Sequence, residues 1–441
     1  MQSRQERHQA VKERRKTRQR KQIRWFTIVL TSFIILLTTV LAWQWLDGNK
    51  DDNQVSSSPP STSTDQEQGE NSPSDPSETP DSQETEAEAA ETEESEVGES
   101  EESEPGEPET PANNQQGVSS DHTRVTLKFV GDIMFAGKVE PIVEEKGYDY
   151  PFSQVKAQLA EADILAGNLE TPLSTRGEPA DKAYAYRSSP KAVEALSEAG
   201  FDILNTANNH ILDYGWDAFH DTHRYLKEGG LQAIGSGANE EEAYQPVVIE
   251  RNGIRVAYLG FSQVVPNGDW KARGDEPGVA STYDYRLPVA AIERAEQEAD
   301  LVVVIAHWGV EREEQPEDRQ IEMAHRYIDA GADLVVASHA HVLQGFEQYK
   351  GKWIAYNIGN FVFTTNDNSK TWETLILEAS CTADADCSLS MEPVLTKFAR
   401  PIVMTEPARS GLLERIDALS RPLGTRVQAD GSLTAETGEE N

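Results

Sequence analysis

His339 and His341 stand two positions apart in VVASHAHVLQG, residues 335–345, directly after a short apolar run. Two imidazoles leaving the end of a buried strand can point at one metal ion. In an ordinary strand they would alternate between faces instead. Residues of similar chemistry follow other apolar runs. VTLKFV runs into Gly131-Asp132, and DILAGN ends at Asn168 with Glu170 two residues on. FDILNTANNH ends at Asn209-His210, and LVVVIAHWG carries His307. Each has a plainer reading alone. Gly-Asp after a strand is a common turn, Asn208-Asn209 suits a helix cap, and His307 beside Trp308 suits a core. Together they require five independent accidents at five strand ends.

Carboxylate, carboxamide and imidazole suit Zn²⁺, Mn²⁺ or Fe, as one ion or two. The absence of thiolate argues against a structural zinc. Two ions about 3.5–4 Å apart turn a bridging water into a nucleophile near neutral pH. A spare histidine can protonate the leaving group. His122, His220, His223 and His325 lie in linker or helix contexts and carry no expected role; Trp353 and Phe361 read as core.

The elements that must position these residues alternate. After the strands above come helix-like segments: KAVEALSEAG, residues 216–228, PVAAIERAEQEA and RQIEMAHRYIDAG. GIRVAYLGF and ADLVVASHAH complete the alternating strands. After residue 342 the pattern turns to hairpins, in QGFEQYKGKWIAYNIGNFVF and TLILEASC…CSLSMEPVLT. An α/β domain over 123–405 is expected, followed by a tail, 406–441, that contains a helix at SGLLERIDAL. In open α/β sheets a ligand site lies beyond the carboxyl ends of the strands, where these five clusters would converge.

The 441-residue chain has a formal net charge of −36, unevenly spread. Residues 1–24 hold ten Lys/Arg against Glu6 and Glu13. Trp25 to Trp45 carries no charge; as a helix at about 1.5 Å per residue it spans about 30 Å, one bilayer core. We read 25–46 as a single-pass membrane anchor with the basic segment cytoplasmic and the remainder outside the cell. A cleaved signal peptide fits less well, because the run exceeds the usual apolar length and lacks a small-residue cleavage site. A buried helix is disfavoured by the missing polar face. Residues 47–122 read as a disordered acidic stalk: 51–110 hold 21 Asp/Glu, no Lys or Arg and no aromatics, too little apolar surface to offset ordering entropy. Cation or cell-wall binding is its alternative role. Residues 111–441 hold 52 acidic and 29 basic side chains, a net −23, which argues against a nucleic-acid partner. Cys381 and Cys387 flank a hairpin tip and are expected to be bridged, with free surface thiols as the alternative.

VGDIMFAG, AGNLETPLS, YRSSP, NTANNHILDYG, AHWGVE, ASHAHVLQGFE and YNIGNFVF, in that order, resemble the CapA family of bacterial poly-γ-glutamate capsule proteins over roughly residues 123–365. The resemblance implies kinship with calcineurin-like metallophosphoesterases, a β-sandwich flanked by helices. It implies metal-ligand roles for Asp132, Asn209, His307, His339 and His341, and a proton donor in His210. Asn168 stands where the phosphoesterases have a bridging aspartate, and Glu170 is the substitute, as ligand and catalytic carboxylate. Arg187 and Asn168 are candidates for substrate binding, Arg187 through a bidentate hold on carboxylate or phosphate. Met134 replaces the histidine of the GDxH motif, and Ser338 replaces the glycine of GHxH. The expected sets are Asp132, Glu170 and His341 for one ion, and Asn209, His307 and His339 for the other.

Three functions follow. The first is an anchored extracytoplasmic protein of poly-γ-glutamate synthesis or export, holding the anionic polymer near other capsule synthase subunits. The second is a metal-dependent hydrolase of phosphoesters or amides in the cell envelope. The third is a scaffold that kept the fold and lost the metal.

Overall fold

The computed structural model describes residues 123–364 and 366–436. The basic segment, the anchor and the stalk read from the sequence lie outside the described residues. Among the described residues no helix is long and apolar enough to cross a membrane.

Alternation within the strands decides the layering. In IRVAYLGFS, residues 254–262, Ile254, Val256 and Tyr258 face one apolar cluster while Ala257, Leu259 and Phe261 face another. In LVVVIAH, residues 301–307, Leu301, Val303 and Ile305 oppose Val302, Val304 and Ala306 in the same way. Strands apolar on both faces must be covered on both.

Two sheets do this. The first runs β16 (Arg400–Val403), β15 (Cys387–Lys397), β14 (Glu373–Thr382), β1 (Arg124–Ile133), β2 (Ile164–Leu169), β3 (Ile203–Asn205) and β4 (Gln232–Ile234), with β13 (Asn360–Val362) also paired to β1. The second runs β11 (Phe346–Tyr349), β12 (Lys352–Ala355), β10 (Leu334–Ser338), β9 (Leu301–His307), β7 (Ile254–Ser262) and β6 (Val247–Arg251). The helix-linked strands pair in parallel, and the hairpin strands pair antiparallel. Two short pairs stand apart: β5 (Ser236–Gly237) with β8 (Gly278–Val279), and β17 (Thr425–Val427) with β18 (Leu433–Ala435).

Inner faces of both sheets share one core, with Leu127, Phe129 and Ile164 from the first and Tyr258, Val303 and Val336 from the second. The outer face of the first sheet is covered by α1 (Glu140–Lys146), α2 (Lys156–Leu159), α3 (Ala192–Glu198) and α4 (Gly215–Glu228). The second sheet is covered by α5 (Glu240–Ala243), α6 (Arg286–Glu298) and α7 (Asp318–Asp329). Helix α7 shows why: Met323, Ala324, Tyr327 and Ile328 make one buried stripe, and a capping box from Glu317 and Gln320 starts it. The result is helices, sheet, sheet, helices.

Two details depart from the sequence reading. The segment from 406 is not a separate tail: α8 (Ala408–Ser420) places Leu412, Leu413 and Ile416 in the inter-sheet core, joined by Val427 and Leu433. Strand β3 stops at Asn205 rather than at His210. The Asn205 carboxamide accepts from Ala207 N–H, and Asn208 Oδ1 accepts from the N–H groups of His210 and Ile211. Such local bonds compete with the sheet ladder. Cys381 and Cys387 lie opposite each other on β14 and β15 and are bridged.

Candidate metal centre

Register brings the polar strand ends into two rows. On the first sheet Asp132 pairs with Asn168 and with Asn360, and Asn168 pairs with Asn205. On the second, His307 pairs with Ser338 and Ser262. The rows meet where the sheets pack: the Asn168 amide lies 3.3 Å from His307 Nδ1. A register shift in β1 between Phe129 and Asp132 re-aims Asp132. Gly131 permits it, because a Cβ there would lie 1.8 Å from the Gly359 carbonyl oxygen.

The HAH segment lies past the end of β10 and does not alternate as a strand would. His339 has φ 100° and His341 has φ 57°. Left-handed backbone at a non-glycine residue costs about 1–3 kcal/mol and persists where surroundings enforce it. Here the His339 N–H donates to Asp132 Oδ2 (3.3 Å), and the Arg312 N–H donates to the Ala340 carbonyl (2.7 Å). This turn puts the His339 ring 4.7 Å from that of His307 and 5.9 Å from that of His341.

Two donor groups result. Asp132, Glu170 and His341 each offer a ligand atom within 4.8 Å of the others, and so do Glu170, His307 and His339. Glu170 belongs to both. It is fully buried, and neither carboxylate oxygen has a hydrogen-bond partner; His339 Nδ1 is likewise buried and unpartnered. Orphaned polar atoms of this kind are costly unless a ligand satisfies them. A divalent cation fits both the donor chemistry and the orphaned atoms. Asn209 Oδ1 is 2.8 Å from His307 Nε2, at the edge of the second group. Met134 is buried with its N–H on the Val362 carbonyl and joins neither group.

Electrostatics agree. Burial, then the Asp132 charge, pushes the Glu170 carboxyl well above its ordinary range. Burial and the neighbouring imidazoles hold His307 well below its own, and His339 at about 3. Burial pushes His341 down too, but the Glu170 and Asp132 carboxylates outweigh it and raise it to about 10. Two neutral imidazoles beside a carboxyl whose proton is held by burial are poised to exchange that proton for a cation.

Three side chains hold the donors, as supporting partners commonly do around metals. Asn168 donates to Asp132 Oδ1 (2.7 Å), contacts His307 and accepts from Asn205 (3.0 Å) and Asn208 (3.3 Å). Its bonding capacity is spent within the protein, so it organises the centre and is not open to substrate. Ser338 Oγ lies 3.2 Å from His307 Nδ1, and Asn360 Oδ1 lies 2.8 Å from His341 Nδ1.

His210 sits beside the donors, with Nδ1 2.6 Å from Asp213 Oδ2. Burial holds its imidazole below the ordinary range, against the pull of Asp213. Lys182 ties this dyad to the centre: its ammonium contacts Asp213 Oδ1 (2.5 Å), His210 Nδ1 (3.3 Å) and the Asn209 carbonyl (2.9 Å). Asp213 and Lys182 were not foreseen. HxxD spacing in HILDYG was the visible signal for Asp213; Lys182, from a distant loop, left none. Arg187 is not joined to the donor groups. Its Nη1 donates to the carbonyls of Arg176 (2.9 Å) and Gly177 (3.3 Å), and its guanidinium lies 4.3 Å over the Tyr214 ring.

Residues 126–365 match the family described as "Bacterial capsule synthesis protein PGA_cap". The chain is 37% identical over 242 residues to the "PGA biosynthesis protein CapA" of Bacillus subtilis, covering 54% of this chain and 63% of that protein. It is 39% identical over 251 residues to the "Capsule biosynthesis protein CapA" of Bacillus anthracis, covering 55% and 61%. The match thus spans less than two thirds of either relative's length. Among solved structures, the sulfate thiohydrolase SoxB of Thermus thermophilus overlaps with a TM-score of 0.36 at 12% identity, over 70% of this chain and 62% of that one. That overlap is too slight to bear on fold or function. The match over residues 126–365 covers more than half of this chain and holds every donor described above, so the chain belongs to the PGA_cap family of bacterial capsule synthesis proteins.

Proposed function

We propose that this chain is a membrane-anchored, extracytoplasmic protein of poly-γ-glutamate capsule synthesis or export, and that its polymer-facing site is a divalent-metal centre that Glu170 would help to hold. The observation that carries the proposal is that the family segment and the donor groups coincide. Relatives with capsule-synthesis names support the polymer. The anchor rests on residues 1–46 of the sequence alone. The layer order and motif order support a calcineurin-like metallophosphoesterase fold, in a chain that acts beside other capsule synthase subunits. An acidic domain repels a polyanion, so a local cationic centre is needed for the polymer to approach. Asp132, Glu170 and His341 would hold one Mn, Fe or Zn ion, and Glu170, His307, His339 and Asn209 a second. Deleting the gene tests the role: surface polymer is expected to vanish, to return with the native gene, and to stay absent with His307→Ala/His339→Ala. Full polymer from that variant would refute the metal part.

A second reading is favoured by the His210–Asp213 dyad. A divalent cation bound in the centre would polarise a carbonyl or phosphoryl group and acidify water. Asp213 fixes the tautomer and orientation of His210, leaving Nε2 to hand a proton to a leaving group. Purified protein incubated with γ-linked glutamate peptides or phosphoesters should then release product, and His210→Ala should abolish release without altering metal content. Equal turnover by that variant would rule this reading out.

A further inference from the structure

Beyond the centre, a line of stacked cations and aromatic rings leads away from His210. Lys182, which touches His210 and Asp213, has its ammonium 5.6 Å from the centroid of the Trp270 ring. Lys271 follows Trp270 in the chain and lies 3.6 Å from the centroid of Tyr283. Arg319, on α7, lies 5.6 Å from the same ring. Tyr283 is 54% exposed, so this cation-flanked ring faces solvent. Lys182, Arg286 and Arg326 are paired with carboxylates, whereas among the described residues Lys271 and Arg273 form no ion pair. Burial and the like charge of Arg273 hold the Lys271 ammonium below its ordinary range. An ammonium with a cation as its charged neighbour and no carboxylate paired to it gains from any anion that reaches it. Residues 111–441 carry a net charge of −23, so a polyanion finds few such places.

We propose that the strip from Lys182 and Trp270 through Lys271 to Tyr283 and Arg319 is a binding track for a polycarboxylate chain, guiding it to the metal centre. This rests on the capsule-polymer reading above and assigns that polymer its path. Successive carboxylates meet Lys271 and Arg319 while the methylene segments lie on Trp270 and Tyr283, whose rings already stack against the cations.

The test uses the full-length chain in detergent with its metal. Labelled γ-linked glutamate decamer and dimer are titrated against it by fluorescence anisotropy. Lys271→Gln/Arg319→Gln is expected to weaken the decamer about tenfold, the effect of two exposed ion pairs. Lys271→Glu/Arg319→Glu should weaken it further, and both should leave the dimer and the metal content unchanged. Decamer binding by the parent should also fall with added salt. Equal decamer affinity in parent and both variants overturns the track, and so does tighter binding of a glycerol-phosphate polymer than of the decamer. His307→Ala/His339→Ala separates the two readings. Decamer binding that survives there but is lost in the strip variants leaves the track standing and the metal reading fallen; the converse pattern overturns the track alone.

Discussion

Substituting Glu170 by Gln should move stability and metal binding in opposite directions. Glu170 is fully buried and both of its oxygens lack hydrogen-bond partners, with His307 Nε2 3.5 Å from one of them. Its folded-state pKa is raised above the unfolded value. A group raised in this way contributes stability that is complete below its unfolded pKa and lost as pH rises through the folded one. Without metal at pH 8, the carboxyl therefore weakens the fold. Gln there is just as buried and unsatisfied but cannot ionise, so the substitution removes only the cost of ionising a carboxyl whose pKa burial has raised. Each tenfold loss of acidity is worth about 1.4 kcal/mol, and metal-free Glu170→Gln is expected to be more stable at pH 8 by about that amount or more. In a domain of this size the gain appears as a melting-point rise of roughly 2–6 °C. With metal the sign reverses. A cation at a hundred times its Kd stabilises by about 2.7 kcal/mol. Supporting residues alone change metal affinity about 10–100-fold, and the ligand shared by both groups should matter at least as much. Added Mn²⁺ or Zn²⁺ should then raise the melting point of the parent and barely move that of the variant. The assay is thermal melting in chelator and in metal, for both proteins. A variant that melts lower in chelator, yet gains as much from metal as the parent, would refute the reasoning.

Other outcomes are expected. Asn168→Ala strips partners from buried Asp132, Asn205 and Asn208 and should lose about 2–4 kcal/mol in denaturant unfolding. His339 is lowered to about 3, so its contribution is present above about pH 6.5 and lost as pH falls toward 3. Melted beside the parent without metal, His339→Asn should therefore lose less melting temperature than the parent as pH falls across that window. Removing the Cys381–Cys387 bridge with a double Ser substitution opens a short loop and should cost about 2 kcal/mol, measured by urea unfolding with and without reductant. Asp213→Asn removes the orienting carboxylate of His210; if the centre hydrolyses, turnover should fall by about 100-fold or more with metal content intact.

The legible part of this fold was the part written in periodicity. Strands such as 254–262 and 301–307 show apolar runs, and helix 318–329 shows a spaced stripe, so their type and order could be read. The convergence of Asp132, Glu170, His307, His339 and His341 was legible because each stands at or just past the end of a strand, and strand ends in such sheets gather. The rest depended on three-dimensional neighbours. Nothing in FDILNTANN reveals that Asn205 and Asn208 turn the chain by bonding local N–H groups. Asn168 looked open to a ligand because its four bonds come from three other segments. Arg187 was drawn toward the site by the family resemblance, yet its Nη1 is taken up by two carbonyls. The packing of 408–435 was hidden because a single helix with a polar end reads alike whether it is a tail or a lid on the core.

The central claim is that the strand ends of two sheets hold a metal through Glu170 and the histidines. Elemental analysis of the purified protein beside its His307→Ala/His339→Ala variant tests it most directly. Near-stoichiometric Mn, Fe or Zn in the parent, lost from a folded variant, is the predicted result. A folded parent that carries no metal and binds none on addition, or a variant that keeps its metal in full, would contradict the account.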